Sequence, residues 1–252
     1  MAPMPTPFMH LHAAHRFLSD ESVSAAVRQF LSAHLGAFLL GNIAPDARVS
    51  GGLDRANTHF FDYGPKIEPH AVDAMLAAYP ELKFAKEDRR AFIAGYIAHL
   101  AMDVVWAEGM LYTYFYKRKD WADGRTRFNM LHVLLCYLDA RDYRQWPEEF
   151  SAALESAQPH DWIPVIPDNA LAAWRNLIAY QICAECDSQT VPLLGGRVDI
   201  GEAGLRDILG NGQRMEDELW HYVPPGVVAD IEGQMYDAMK TWVEKYMMET
   251  EK

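Results

Sequence analysis

Two residues that can bind a metal, His99 and Asp103, lie four positions apart in the apolar stretch from Gly95 to Trp106. On a helix, positions i and i+4 share one face, so the imidazole and the carboxylate would point the same way into the protein interior. A buried carboxylate without a partner is strongly destabilising. A divalent cation would remove that cost. The alternative is a hydrogen-bonded His–Asp pair that joins two helices.

Further candidate ligands are found nearer the N-terminus, where the first of the ten histidines occur. His10, His12 and His15 open the first predicted helix; His12 and His15 share a face, and His10 lies about half a turn away. Asp46 follows a proline in a loop, and His59 lies beside aromatic residues. A single histidine among apolar neighbours is more often a hydrogen-bonded core residue than a ligand, so these residues must be considered as a set.

Helical periodicity dominates the chain, and alternating strand patterns are scarce. We therefore predict an all-α fold, formed by residues 1–252 as a single multi-helix domain with a metal site in a central cleft. The predicted helices cover about 8–19, 21–37, 69–79, 86–117, 125–142, 147–157, 168–186, 202–220 and 226–249.

Two segments between these helices are predicted to be irregular. Residues 41–69 are rich in glycine, proline and small polar residues, which indicates a long structured loop of the kind that often carries function. Residues 190–201 form a second loop, which could hold one short hairpin.

Composition narrows the class of protein. The net charge of −12 argues against a nucleic-acid partner bound through a broad basic surface. The N-terminus lacks the charge and apolar run of a secretory signal, and the uncharged run at 91–102 is too short to be a transmembrane segment. Three cysteines do not form a disulfide framework, and we interpret Cys183 and Cys186 as small packing residues. These features favour a cytoplasmic location. The oligomeric state stays open.

Four segments resemble the zinc-dependent phospholipase C family, whose wider superfamily includes the fungal single-strand-specific nucleases. They are the start from Met4 to Ala13, LLGNIAPD (Leu39 to Asp46), THF (Thr58 to Phe60) and GYIAHLAMDVVW (Gly95 to Trp106). They follow one another in the family's order over about the first 110 residues, and they are most similar to a bacterial, cytoplasmic type of member. The resemblance implies an all-α fold, a zinc cluster at the bottom of a cleft, and phosphodiester hydrolysis of a phospholipid head group or a related substrate.

The resemblance also implies a ligand set. Asp46, His59, His99 and Asp103 would hold one zinc ion, and Asp103 could bridge to a second ion that His10 helps to bind. His12 and His15 are alternatives to His10. Asp46 is a ligand or the general base, and the sequence does not separate the two roles.

Downstream of Asp103 the sequence departs from the secreted family members, which add a further metal site with an HxxxE pair. No HxxxE or HxxxD follows here, so other ligands such as His132 and Asp139 would be needed for that site. One to three zinc ions, or another divalent metal, fit this set.

Two functions follow. The first is a metal-dependent hydrolase that uses activated water on a phosphodiester, because zinc lowers the pKa of bound water toward neutrality. The second is a non-catalytic helical metal-binding protein that retains a partial site and binds a ligand or partner. A di-iron carboxylate bundle needs paired Glu-x-x-His motifs, and only Glu218 to His221 has that spacing.

Overall fold

The fold is all-α, as predicted. A computed structural model describes residues 5–143, 147–183 and 186–249, and within these ranges there is no β-strand. The helices are α1 (Pro7–Ser19), α2 (Ala25–Ala33), α3 (Leu35–Ile43), α4 (Arg48–Gly51), α5 (Arg55–His59), α6 (Ala71–Ala78), α7 (Glu87–Val105), α8 (Gly124–Asp142), α9 (Glu149–Ser156), α10 (Asp168–Gln181), α11 (Thr190–Gly195), α12 (Gly201–Leu209), α13 (Gly212–Arg214) and α14 (Pro225–Glu249). Short 3₁₀ turns cover Ala44–Ala47 and Pro80–Phe84, and π-helical segments cover Trp106–Tyr116 and Met215–Trp220.

The centre of the fold is α7, whose residues from Ala91 to Val104 are all buried. Helix α3 crosses α7, and α14 packs along it. One hydrophobic core continues from Phe8 in α1 to Met247 in α14. Because α7 is surrounded on every side, its sequence lacks a polar face, and the apolar run around His99 is the interior of the protein.

The crossing of α3 and α7 depends on two glycines. A Cβ atom on Gly41 would lie 2.0 Å from the Phe92 carbonyl oxygen, and one on Gly95 would lie 2.2 Å from the Phe38 carbonyl oxygen. No side chain fits at those separations, so the two backbones touch directly. This close approach brings the C-terminal end of α3 against the turn of α7 that carries His99.

The segment at 41–69 is more regular than the loop we predicted. Helix α3 runs through Gly41 to Ile43, and the 3₁₀ turn, α4 and α5 follow within the next 16 residues. Pro45 stands at the start of the 3₁₀ turn, where its missing N–H costs no helical hydrogen bond. Pro45 and Gly52 therefore mark the ends of short helices, whereas Gly41 lies inside α3.

The predicted hairpin at 190–201 is wrong. Residues 190–195 form α11, and Pro192 lies within its first turn, where proline is compatible with a helix. The predicted helix over 21–37 is divided at His34, whose backbone (φ −116°, ψ 37°) leaves the helical region between α2 and α3. The sequence carries no strong signal for the start of α11 or for the break at His34.

The interpretation of the Cys183–Cys186 pair as packing residues is also wrong, because the two cysteines form a disulfide. The cytoplasmic location stays a prediction. Cys136 is a free, buried cysteine.

One helical run, Glu87–Tyr116, is long and apolar enough to cross a membrane by length and composition alone. In this fold, 89% of its apolar window is buried inside the protein. Protein side chains therefore cover the surface that lipid would otherwise cover, which is typical of a central core helix.

Candidate metal centre

Four separate segments bring five of the predicted ligands together. His10 comes from α1, Asp46 from the 3₁₀ turn after α3, His59 from the last residue of α5, and His99 and Asp103 from α7. The two residues of α7 are one helical turn apart on the same face, as the sequence predicts. The fold brings His10, Asp46 and His59, which are distant from α7 in the sequence, to this face of the helix.

Asp103 lies at the middle of this cluster. Its Oδ2 atom is 3.4 Å from His59 Nε2 and 3.5 Å from His99 Nε2, and its Oδ1 atom is 3.6 Å from His10 Nε2. Asp46 Oδ1 is 3.7 Å from His59 Nε2. Two overlapping groups have ligand atoms that all lie within 4.8 Å of one another: His10, His99 and Asp103, and Asp46, His59 and His99. His99 is common to both groups.

Hydrogen bonds on the outer side of two rings orient their inner nitrogens. The Asn42 carbonyl oxygen is 2.8 Å from His99 Nδ1, so that nitrogen donates and Nε2 keeps a free lone pair. The Thr58 hydroxyl donates to the Arg55 carbonyl and is 2.9 Å from His59 Nδ1, from which it can only accept. Outer hydrogen bonds of this kind fix the tautomer of metal-binding histidines.

The residue after His59 ends α5 abruptly. Phe60 has a φ of 60°, a left-handed conformation that is uncommon for a bulky residue. The Tyr96 hydroxyl of α7 donates to the Thr58 carbonyl and so holds this turn against the central helix. These two features aim His59 into the cluster.

The inner atoms of the cluster are buried and lack hydrogen-bond partners. They are His10 Nε2, His59 Nε2, His99 Nε2 and Asp103 Oδ1. Buried polar atoms are nearly always paired, so a convergent set of unpaired imidazole nitrogens and a carboxylate oxygen calls for a cation. Imidazole nitrogen and carboxylate oxygen are the donors that zinc accepts. The residues therefore fit a zinc ion.

The pKa shifts within the cluster also favour metal binding. Burial lowers the pKa of His10, and burial together with the Arg55 charge lowers the pKa of His59 well below its usual value. Burial also disfavours a charged His99, but the Asp103 carboxylate outweighs it and raises the pKa of His99. Burial would likewise raise the pKa of Asp103, yet the facing histidines hold it well below its usual range. These directions favour a charged Asp103 and neutral imidazoles on His10 and His59, the forms in which these groups bind a metal.

Arg55 adds a positive charge that the sequence argument did not consider. Its Nη2 atom is 3.1 Å from Asp103 Oδ2, and its side chain is only 8% exposed. A signal was present in the sequence, because Arg55 precedes His59 by four positions and so lies on the same helical face. Asn42 and Thr58 were also missed as orienting residues, although both lie inside the motifs that carry the resemblance.

A cavity of about 530 Å³ opens beside the cluster. Asp46 and Arg55 line it, and the Asp46 side chain is 17% exposed. The wall is mostly apolar, with Phe8, Leu53 and Trp174 among its residues, and two further arginines, Arg48 and Arg197, contribute charge. The cavity is therefore amphipathic, and Asp46 connects it to the buried histidines.

The remaining candidates lie outside the two ligand groups. His12 lines a smaller cavity of about 240 Å³ with Arg141 and Asp142, and His15 packs against the edge of Phe150. His132 Nδ1 is bonded to its own helix at the Phe128 carbonyl oxygen, and it lines the large cavity.

Asp139 forms a separate polar cluster. It accepts hydrogen bonds from the hydroxyls of Thr6, Ser188 and Thr190. Burial raises its pKa to about 7, even though these hydroxyls favour its charged form. In this arrangement Asp139 joins α8 to the segment before α1 and to the start of α11.

Comparison with known proteins bears on the first half of the chain. Residues 6–118 match a family model described as zinc dependent phospholipase C, which confirms the resemblance over rather less than half of the chain. The comparison with curated proteins finds no match, and neither does the comparison with solved structures.

The matched region contains His10, Asp46, His59, His99 and Asp103. The family is zinc-dependent and the histidine–aspartate groups could hold a metal ion, in agreement with the predicted zinc cofactor. Together, the family match and the cluster support a metal-dependent hydrolase.

Proposed function

We propose that this chain, matched over residues 6–118 by the zinc dependent phospholipase C model, is a zinc-dependent phosphodiesterase. Its substrate would be a phospholipid head group or a small phosphodiester. The observation that carries the proposal is the set of unpaired buried nitrogens on His10, His59 and His99 around Asp103, directly beside a cavity. We assign zinc binding to these four residues together with Asp46.

The residues of the site have separate roles in the proposed reaction. When bound, zinc supplies Lewis acidity that activates water for attack on phosphorus. Asn42 and Thr58 keep the His99 and His59 rings oriented. Asp46, at the border between the cluster and the cavity, is placed either to bind the metal or to accept a proton from the attacking water. Both roles are consistent with its position.

The cavity wall supports an amphipathic substrate. Apolar side chains such as Leu53 and Val49 would contact an apolar group, and the arginines would face the phosphate. The net charge of −12 would repel a long polyanion at a distance, which favours a small phosphodiester over nucleic acid.

The test is hydrolysis of a chromogenic phosphodiester and of a phosphocholine ester near neutral pH. We expect activity that chelation removes and zinc restores. Asp46→Asn should lower kcat by about a hundredfold or more, in either of its roles. Asp73→Asn, on the exposed side of α6, is the matched control and should keep full activity.

Absence of turnover by zinc-replete protein on phosphodiesters, phosphomonoesters and single-stranded nucleic acid would contradict the hydrolase. In that case the non-catalytic metal-binding function is the better description. Retention of full activity by Asp46→Asn would contradict the role of Asp46 in the site, and the phosphodiesterase activity itself would stand.

A further inference from the structure

Arg55 is a buried cation placed between the candidate metal centre and the cavity. It lies in the first turn of α5, with Nη2 at 3.1 Å from Asp103 Oδ2 and Nη1 at 3.5 Å from the Phe61 carbonyl oxygen. Its guanidinium also stacks on the rings of Phe61 and Tyr63, at 4.4 and 4.5 Å from their centroids. These contacts fix the plane of the guanidinium beside the metal ligands.

The contacts of Arg55 use only part of its hydrogen-bonding capacity. A guanidinium has five N–H donors, and Nε has no partner. The same side chain lines the 530 Å³ cavity. A planar guanidinium with unused N–H donors, on a side chain that lines a cavity, is suited to bind phosphate or carboxylate oxygens.

The charge of Arg55 is only partly balanced within the protein. Asp103 is its one carboxylate contact among the residues described, and Asp103 also faces His10, His59 and His99. If a divalent ion occupied the cluster, the Asp103 charge would be shared with it. The excess of positive charge would then attract an anion at the cavity side of Arg55.

We propose that Arg55 binds a non-bridging phosphoryl oxygen of the substrate. This proposal rests on the proposed function, and it assigns to Arg55 the charge that a further metal ion would otherwise provide, since no HxxxE pair follows Asp103. As water attacks, a bond forms between the water oxygen and phosphorus, and the bond to the leaving oxygen breaks. The water gives up a proton and the leaving group receives one. Arg55 stays protonated and stabilises the negative charge on the non-bridging oxygens.

The experiment compares Arg55→Lys and Arg55→Met with wild type, using inorganic phosphate as the probe. Zinc content is measured first, and then phosphate affinity by calorimetry on zinc-loaded protein. We expect both variants to keep zinc and to bind phosphate at least tenfold more weakly, with lysine less impaired than methionine. The kcat for the phosphodiester should fall by about a hundredfold. Arg206→Met, which removes an exposed arginine paired with Glu202, is the control and should change neither value.

Unchanged phosphate affinity in folded, zinc-loaded Arg55→Lys would overturn the proposal and leave Arg55 as a structural partner of Asp103. A crystal structure of the zinc-loaded wild type with phosphate is independent of how the variants fold. A phosphate oxygen within hydrogen-bond distance of Arg55 supports the proposal, and phosphate bound elsewhere overturns it.

The two proposals fail separately. Suppose that the wild type hydrolyses nothing, but that Arg55→Lys binds phosphate more weakly than the wild type. The proposed hydrolase activity is then wrong, and the anion site at Arg55 remains. If the wild type hydrolyses phosphodiesters and Arg55→Lys is fully active, only the role of Arg55 is wrong.

Discussion

At the residue scale, the first helix offers three histidines for one ligand position, and the structure distinguishes them by burial and direction. His10 is fully buried, stacks on His99 with ring centroids 3.8 Å apart, and lies 3.6 Å from Asp103. His15 contacts Phe150 instead. The sequence left His10, His12 and His15 open because spacing alone does not show which face of α1 meets α7.

His10→Ala should therefore lower the zinc content or the zinc affinity, whereas His15→Ala should leave both unchanged. The physical reason is that the His10 ring contacts the Asp103 carboxylate at the centre of the cluster, whereas the His15 ring contacts Phe150. Elemental analysis of protein dialysed against a weak chelator measures the difference. Equal zinc retention in the two variants would show that His10 is a packing residue.

At the scale of elements, most helices were predictable and the cluster was predictable only in part. The helices α1, α8 and α14 follow long periodic segments, and their predicted bounds agree with the structure within a few residues. The predicted helix over 86–117 corresponds to α7 together with the π-helical segment that continues it to Tyr116. The short helices between Ala44 and His59 were not predicted, because each is too short to show a period. The i, i+4 pair of His99 and Asp103 was predictable, but the approach of Arg55 depends on tertiary packing.

The crossing of α3 and α7 ties the fold to the site, because it puts the Asn42 carbonyl on His99. Gly95→Ala would force a methyl group against the Phe38 carbonyl oxygen and the Asn42 amide, which lies 2.7 Å from the ideal Cβ position. We expect a loss of about 2–3 kcal/mol in the free energy of unfolding, since backbone cannot move aside as a side chain can. Zinc affinity should fall as well.

Gly109→Ala is the control for this prediction. Its added Cβ would meet Ile231 at 3.6 Å, an ordinary contact. Urea denaturation of both variants with the wild type measures the effect. A Gly95→Ala protein as stable as Gly109→Ala would show that the helices are not in direct backbone contact.

Asp139 gives a prediction about pH. Burial raises its pKa from 3.8 to about 7, so between these values the folded state holds a proton that the unfolded state has lost. Its contribution to stability is fully present below pH 3.8 and is lost as the pH rises to about 7. The nearby Asp142 also favours the protonated form.

Asp139→Asn removes this titration. The stability of the variant relative to wild type should increase between pH 4 and pH 7, by an amount on the order of 4 kcal/mol. Denaturant unfolding at several pH values, with both proteins in the same buffers, measures it. A constant difference between the two proteins across that range would contradict the raised pKa.

At the scale of the whole molecule, an acidic protein surrounds a cavity that carries several arginines. The net charge is −12, yet Arg48, Arg55 and Arg197 line the same cavity beside Asp46. Local positive charge inside a negative molecule selects small anions that fit the cavity, because the overall field opposes large ones. The charge distribution thus agrees with the proposed substrate class, and it could not be read from composition alone.

Metal binding should be visible as stability of the entire fold, because the cluster joins α1, α5 and α7. A zinc concentration of about 100 times Kd would stabilise the native state by about 2.7 kcal/mol, if the unfolded chain does not bind zinc. For a protein of this length, that corresponds to a rise in Tm of about 5–10 °C, which chelation should reverse.

The dependence of Tm on zinc should vanish in His99→Ala, because His99 is common to both possible ligand groups. His160→Ala is the matched control, since its side chain is 91% exposed, and it should respond to zinc as the wild type does. Differential scanning fluorimetry with added zinc and with chelator compares the three proteins. If His99→Ala keeps the full zinc response, the stabilising ion binds elsewhere. The buried His–Asp cluster then serves as a hydrogen-bonded contact between helices.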